Sequence, residues 1–235
     1  MEDKESKDML CDNFGRKIDY LRMSVTDRCN LRCVYCMPGE GIEMLGHGDM
    51  LSYEELLRAA KLFAEAGIKK IRLTGGEPLV RKDIITLVEG LKNIRQIEDV
   101  SLTTNGLLLR RHLKALSDKG INRLNISIDS MNPQKYAKIT RGGNLGTLTD
   151  NIISAAGLGF KEIKLNVVIT GFLDSSDIRD FINFARDYSL FLRFIEMMDY
   201  EPKSSNCATS YNHQGSSTVE CCSSYIADSE EKISV

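Results

Sequence analysis

Three of the chain's seven cysteines, Cys29, Cys33 and Cys36, crowd into one stretch at spacings of four and three residues. Three thiolates are one short of the four that complete a cubane iron–sulfur cluster, so a cluster held there keeps one iron open to a second molecule. A zinc site needs a fourth ligand, and the nearby histidine is His47. Three buried structural thiols are a further reading, opposed by Arg28, Asn30 and Arg32, which interleave with the cysteines and are poor company for an apolar core. Disulfides would leave one of the three unpaired. The opening Met1-Glu2-Asp3-Lys4-Glu5-Ser6, charged in both signs, is also unlike a signal peptide to an oxidising compartment.

The approach to the triplet reads as a strand, because Leu21, Met23 and Val25 alternate with Arg22, Ser24 and Thr26. Beyond a glycine-rich loop, Ser52 and Glu55 have the spacing of a capping box, opening a helix whose buried stripe is Leu56, Ala60, Phe63, Ala64 and Gly67. The unit then repeats. Strands are predicted over 70–74, 100–104, 123–129, 161–170 and 192–198, with helices over 82–92, 108–118, 133–139, 147–157 and 174–188. Short strands alternating with helices imply parallel pairing and right-handed crossovers. The expected fold is therefore α/β, an incomplete (β/α)6 barrel of the TIM type over 12–198. A loose polar segment, 1–11, precedes it. A tail, 199–235, follows and is expected to be disordered or marginally packed, since its stretch 203–224 is crowded with Ser, Asn, Thr, Cys and Gln and lacks either periodicity.

Parallel barrels gather their active sites at the C-terminal strand ends, where the βα loops converge. Cys29, the run Gly75-Gly76-Glu77-Pro78, Thr103 to Gly106, Ser127, Asp129 and the pair Met197-Met198 all fall at such ends. The net charge of -2 offers no electrostatic footprint for nucleic acid or an anionic membrane surface, and no apolar run has the length of a span. A cytoplasmic protein is expected, bound to neither. Arg22, Arg72 and Lys164 lie within predicted strands, where a charge is costly unless it faces a polar lumen or snorkels outward.

Cys-x3-Cys-x2-Cys with Tyr35 before the last cysteine is the hallmark of the radical S-adenosylmethionine enzymes. Phe14-Gly15-Arg16, the run Tyr20 to Asn30, Cys36-Met37-Pro38 and Leu73 to Pro78 further resemble the GTP 3',8-cyclase family of molybdenum cofactor biosynthesis, from about Asp12 to Met198. That resemblance implies one 4Fe-4S cluster on Cys29, Cys33 and Cys36, with S-adenosylmethionine chelating the open iron. It implies a 5'-deoxyadenosyl radical that abstracts hydrogen from the GTP ribose. Tyr35, Gly76, Ser127 and Met198 then contact S-adenosylmethionine, and Arg22, Arg72, Thr103 and Lys164 contact GTP. An electron donor protein, a homodimer partner and the next enzyme of the pathway are the implied protein partners.

The family's second cysteine triplet, close pair first, has no counterpart. Cys207, Cys221 and Cys222 reverse the spacing, and an adjacent pair is a poor cluster chelate. Two alternatives stay open on the sequence: a truncated, binding-only form that holds the first cluster and S-adenosylmethionine, or a radical enzyme of another substrate class.

Overall fold

A computed structural model describes residues 10–46, 48–197 and the backbone of 233–234. In chain order the elements are β1 (Tyr20–Ser24), α1 (Tyr53–Glu65), β2 (Lys70–Thr74), α2 (Ile84–Lys92), β3 (Asp99–Thr104), α3 (Leu109–Asp118), β4 (Arg123–Ser127), α4 (Pro133–Thr140), α5 (Leu145–Gly157), β5 (Glu162–Ile169), α6 (Ser175–Asp187), β6 (Phe191–Glu196) and β7 (Ile233–Ser234). Each strand pairs parallel with the next, in the order β1-β2-β3-β4-β5-β6-β7. Among the described residues β1 pairs with β2 alone, so the curved sheet is open along that side, as an incomplete barrel requires.

Two-residue β7 is a departure from the six strands expected, since Ile233 and Ser234 lie in the segment read from the sequence as a disordered or marginally packed tail. Met198 and the tail cysteines Cys207, Cys221 and Cys222 lie outside the described residues, as does His47. No helix among the described residues is long and apolar enough to cross a membrane.

The sheet's outer face packs on the helices through residues that lose all contact with solvent: Ile71, Leu73, Val100, Leu102, Leu124, Ile126 and Leu165. Burying an aliphatic side chain of this size contributes roughly 1.5–3 kcal/mol. The capping box of α1 forms in both directions, with Glu55 N–H donating to Ser52 Oγ at 3.2 Å and Ser52 N–H donating to Glu55 Oε2 at 2.7 Å. Its stripe is narrower than the sequence suggests. Leu56, Ala60 and Ala64 are buried, whereas Phe63, at the edge of the arc centred on Ala60, is exposed, and Gly67 lies past the helix end. Helix α5 starts two residues earlier than expected because Asn144 caps it, accepting Thr147 N–H at 2.8 Å. Strand β4 stops at Ser127, short of Asp129, because the Asp129 carboxylate takes over as acceptor for Val168 N–H at 3.1 Å.

Strand alternation sends the other set of side chains to the inner face. One row across it runs Arg22, Arg72, Ser101, Arg123, Glu162. The next runs Thr103, Asn125, Lys164, Phe191, and the one nearest the strand ends runs Ser127, Asn166, Arg193.

Candidate active site

The cysteine loop leaves β1 at the C-terminal edge of the sheet and is fastened from several sides. Arg32 Nη1 donates to the carbonyls of Cys29 at 2.7 Å and Leu31 at 2.9 Å. The C-terminal end of α4 meets it next, through Val34 N–H to Ile139 O at 2.9 Å and Arg32 N–H to Thr140 O at 3.2 Å. Arg141, held in the left-handed region at φ 53°, closes the strap by donating to Met37 O at 2.7 Å. A non-glycine residue in that region is strained, and the strain is held by the loop it binds.

Gly75 and Gly76 explain how the second loop sits under the first. A Cβ on Gly75 would lie 2.4 Å from Thr26 O, and one on Gly76 would lie 2.3 Å from Arg28 O. Both glycines are therefore required by backbone packing, with Gly76 N–H donating to Thr26 O at 2.7 Å and Glu77 N–H to Arg28 O at 2.8 Å. Glu77 is buried beneath this contact. Its carboxylate accepts Leu79 N–H at 3.0 Å, Thr104 Oγ1–H at 2.7 Å and Asn105 N–H at 2.6 Å. Burial pushes its carboxyl up and the Asn105 amide, the Thr104 hydroxyl and the Leu79 amide counter that.

Around the sulfurs, Leu31 N–H donates to Cys29 Sγ at 3.4 Å and Asn105 Nδ2 approaches the same sulfur at 3.8 Å. Tyr35 donates its hydroxyl to Asp129 Oδ2 at 2.7 Å. Burial pushes the Asp129 carboxyl up. Burial pushes Cys33 up to about 12, and Asp129, Cys29 and Cys36 add to it by repelling the thiolate. Cys29 is raised by burial first, with Glu77 and Cys36 adding to the rise. Sulfurs near enough to oppose one another's ionisation are sulfurs that bound cationic iron would stabilise together. Among the described residues no three potential ligands converge on one metal-ion position. Convergence is the demand of a single zinc ion, whereas a cubane distributes its thiolates over separate irons. The donor set and its exposure, with Cys36 open to solvent, fit a cluster with an accessible face.

Beneath the loops, the inner face is strongly cationic. Arg72 lies over the Tyr20 ring, 5.3 Å from its centroid, and its guanidinium is lowered by burial and by Arg22, Arg193 and Arg123. Arg123 is shared by Asp99 at 3.4 Å and Glu162 at 3.2 Å, and Lys164 reaches Glu162 at 3.6 Å. Four buried polar atoms of this face, Tyr20 OH, Arg123 Nε, Asn125 Oδ1 and Asn166 Oδ1, find no hydrogen-bond partner among the described residues. Cations outnumber their acidic partners on this face, and the unpaired atoms comprise two donors, Tyr20 OH and Arg123 Nε, and two acceptor oxygens, of Asn125 and Asn166.

All four of Arg22, Arg72, Thr103 and Lys164 thus share one face. Ser127 ends β4 on that face, Gly76 sits against the cysteine loop, and Met198 lies outside the described residues. Sequence reasoning missed Arg123 and Arg193, which the same strand parity as Lys164 would have revealed. It also missed the side-chain roles of Glu77 and Asn105, whose partners lie on other loops.

The model of the family described as "Radical SAM superfamily" matches residues 23–185. Among curated relatives, GTP 3',8-cyclase of Peptoclostridium acidaminophilum is 48% identical over 196 residues, covering 83% of this chain and 60% of that protein. GTP 3',8-cyclase of Alkaliphilus metalliredigens is 49% identical over 187 residues, covering 80% and 58%. The chain therefore spans about three fifths of the length of the curated relatives it matches. Among solved structures, Streptococcus suis SuiB superposes with a TM-score of 0.69 at 16% identity, covering 92% of this chain and 48% of that one, a likeness of fold. With the cysteine triplet at the strand ends and the family model matched across most of its length, the chain belongs to the Radical SAM superfamily.

Proposed function

We propose that the chain performs the radical chemistry of a GTP 3',8-cyclase in molybdenum cofactor biosynthesis, a lyase-type reaction. The observation that carries this reading is the cationic inner face directly below the cysteine loop, in a chain 48% identical to proteins of that name. Cys29, Cys33 and Cys36 would hold one 4Fe-4S cluster. When bound and reduced by one electron from a donor protein, that cluster with S-adenosylmethionine supplies a hydrogen-abstracting radical.

The chain's own residues set the geometry. Gly76 and Ser127 border the space beside the loop where S-adenosylmethionine would lie, with Tyr35 and Met198 completing its contacts. Arg22, Arg72, Thr103 and Lys164 would hold GTP, the guanidinium forks and the ammonium gripping its triphosphate. Glu162 holds that row in register by pairing with both Arg123 and Lys164. Such a grip places the ribose toward the strand ends, where the radical forms, and positioning of this kind controls rate because an error of about 1 Å can cost a hundredfold. The curved sheet and its loops exclude water from one side of that space. A homodimer partner and transfer of product to the next enzyme belong to the same reading.

The test is anaerobic reconstitution with iron and sulfide, followed by dithionite, S-adenosylmethionine and GTP, with chromatography of the products. Formation of 5'-deoxyadenosine dependent on all three cysteines supports the radical step, and cyclised GTP supports the substrate. Absence of 5'-deoxyadenosine from a fully loaded protein overturns both.

A further inference from the structure

Resting on the cluster reading above, we propose that Asn105 is a positioning residue that tunes the reduction potential of the cluster through an N–H···S hydrogen bond to Cys29. Its side-chain amide cannot be turned round. Asn105 Oδ1 accepts Leu107 N–H at 3.1 Å, which fixes the NH2 group on the opposite side. Of the two hydrogens there, one goes to Asn30 Oδ1 at 2.8 Å and the other faces Cys29 Sγ at 3.8 Å. The backbone is clamped as well, by Asn105 N–H to the buried Glu77 carboxylate at 2.6 Å.

A donor locked in this way is preorganised for a thiolate. Cys29 has a second donor in Leu31 N–H at 3.4 Å, so two N–H dipoles point at the sulfur of one ligand. Hydrogen bonds to cluster sulfurs withdraw electron density and favour the more negative, reduced state, which raises the potential. Cys29 and Cys33 are half-buried, which restricts the access of water to their sulfurs and strengthens each bond they accept.

Removing the amide should lower the midpoint of the one-electron couple by about tenfold in the reduction equilibrium, or about 59 mV. The measurement is a mediator-buffered dithionite titration of the reconstituted chain followed by electron paramagnetic resonance, on wild type, Asn105→Ala, Asn105→Leu and Asn30→Ala. Asn105→Leu is a neutral near-isostere that loses the donor without adding charge, so it reports even if Asn105→Ala assembles no cluster. Asn30→Ala loosens the loop contact while leaving the amide on Cys29, and should stay near the wild-type potential. A lowered midpoint in the Asn105 variants, with Asn30→Ala unchanged, is the expected result. Unchanged potentials in Asn105 variants that hold a full cluster overturn the tuning role and leave the cluster assignment standing. Equal shifts in Asn105→Ala and Asn30→Ala overturn it too, as a general loosening. A wild-type chain that takes up no iron overturns the underlying reading.

Discussion

Glu77 and Asn105, on the loops after β2 and β3, are joined by a 2.6 Å bond from the Asn105 backbone amide to the Glu77 carboxylate. Around this bond the three catalytic-end loops become one unit. Glu77 N–H reaches back to Arg28 O on the cysteine loop, and Asn105 Nδ2 reaches to Asn30. The cysteine loop therefore rests on the second and third loops through short, directional polar contacts, from the buried Glu77 outward to the exposed Asn30.

Glu77→Gln should break this unit from its centre. The change replaces one acceptor oxygen by an NH2 group, which would oppose the N–H of Asn105 or the donors Thr104 and Leu79. Leaving a buried donor unpaired costs about 1–3 kcal/mol. Thermal unfolding should fall by roughly 2–4 °C for each kcal/mol in a chain of this size. A melting temperature equal to wild type would show the carboxylate to be dispensable.

Gly76→Ala tests the backbone contact between loops. Its new Cβ would meet Arg28 O at 2.3 Å and Asp27 O at 2.8 Å, both backbone atoms with no side-chain freedom to yield. The cysteine loop must move, and iron uptake on reconstitution should drop severalfold. Gly146→Ala is the matched control, since its Cβ would come no nearer than 3.4 Å to Asn144 Oδ1 in the first turn of α5. That change should be neutral or stabilise by about 0.4–1 kcal/mol. Equal iron content in both variants would contradict the packing argument.

How far the sequence led is clearest in β2. Alternation in Lys70-Ile71-Arg72-Leu73-Thr74 locates the strand, and also predicts that Arg72 faces away from Ile71 and Leu73, which the burial pattern bears out. Strand order followed from local repetition, because each crossover unit pairs with its neighbour. What stayed illegible depends on distant partners. Nothing near Asp129 in the chain announces that it accepts from Tyr35, 94 residues away, or that it ends β4 by binding Val168. Glu77 hides within a glycine turn motif, and its purpose appears only when Thr104 and Asn105 arrive from the next strand. The edge position of Phe63 on α1 depends on where the sheet lies, which helical periodicity alone leaves open to one position.

Lys135 should matter for the fold more than its surface position suggests. It donates to Asp177 at 2.6 Å and to Asp174 at 2.7 Å, and the Asp177 side chain is only 3% exposed. Lys135→Met leaves that carboxylate with Ser130 at 3.2 Å and the backbone of Asp174 as its donors. The expected loss is about 1–3 kcal/mol, below the value for a fully buried pair because Lys135 itself is 29% exposed. A pH signature accompanies it. Asp174 is held well below the usual carboxylate range by the Lys135 hydrogen bond first, then by Ser176 and the Asp177 backbone. A depressed folded pKa gives stability that is present above the unfolded pKa of about 3.9 and is lost as pH falls through the folded value. Urea melts at descending pH should show this slope in wild type and a shallower one in Lys135→Met.

Arg72→Ala should weaken nucleotide triphosphate binding by roughly ten- to a hundredfold, the loss of one charge-assisted hydrogen bond of about 1.5–3 kcal/mol. Arg72 is the centre of the inner-face cluster, since Arg22, Arg193 and Arg123 all act on it. Its anchoring is light, with the Tyr20 ring beneath and a 3.4 Å contact from Nε to Ser101 Oγ, so its terminal nitrogens remain available to an anion. Lys114→Ala on α3 is the control, because that lysine is 86% exposed and pairs with Asp118 one helical turn away. Binding to wild type should weaken with added salt, and the Arg72→Ala chain should show a smaller salt dependence, one cation having been removed. Calorimetric titration with GTP at two ionic strengths measures both quantities. If Arg72→Ala and Lys114→Ala bind GTP alike, the anion seat is not on the inner face, and the assignment of Arg22, Thr103 and Lys164 to the substrate fails with it.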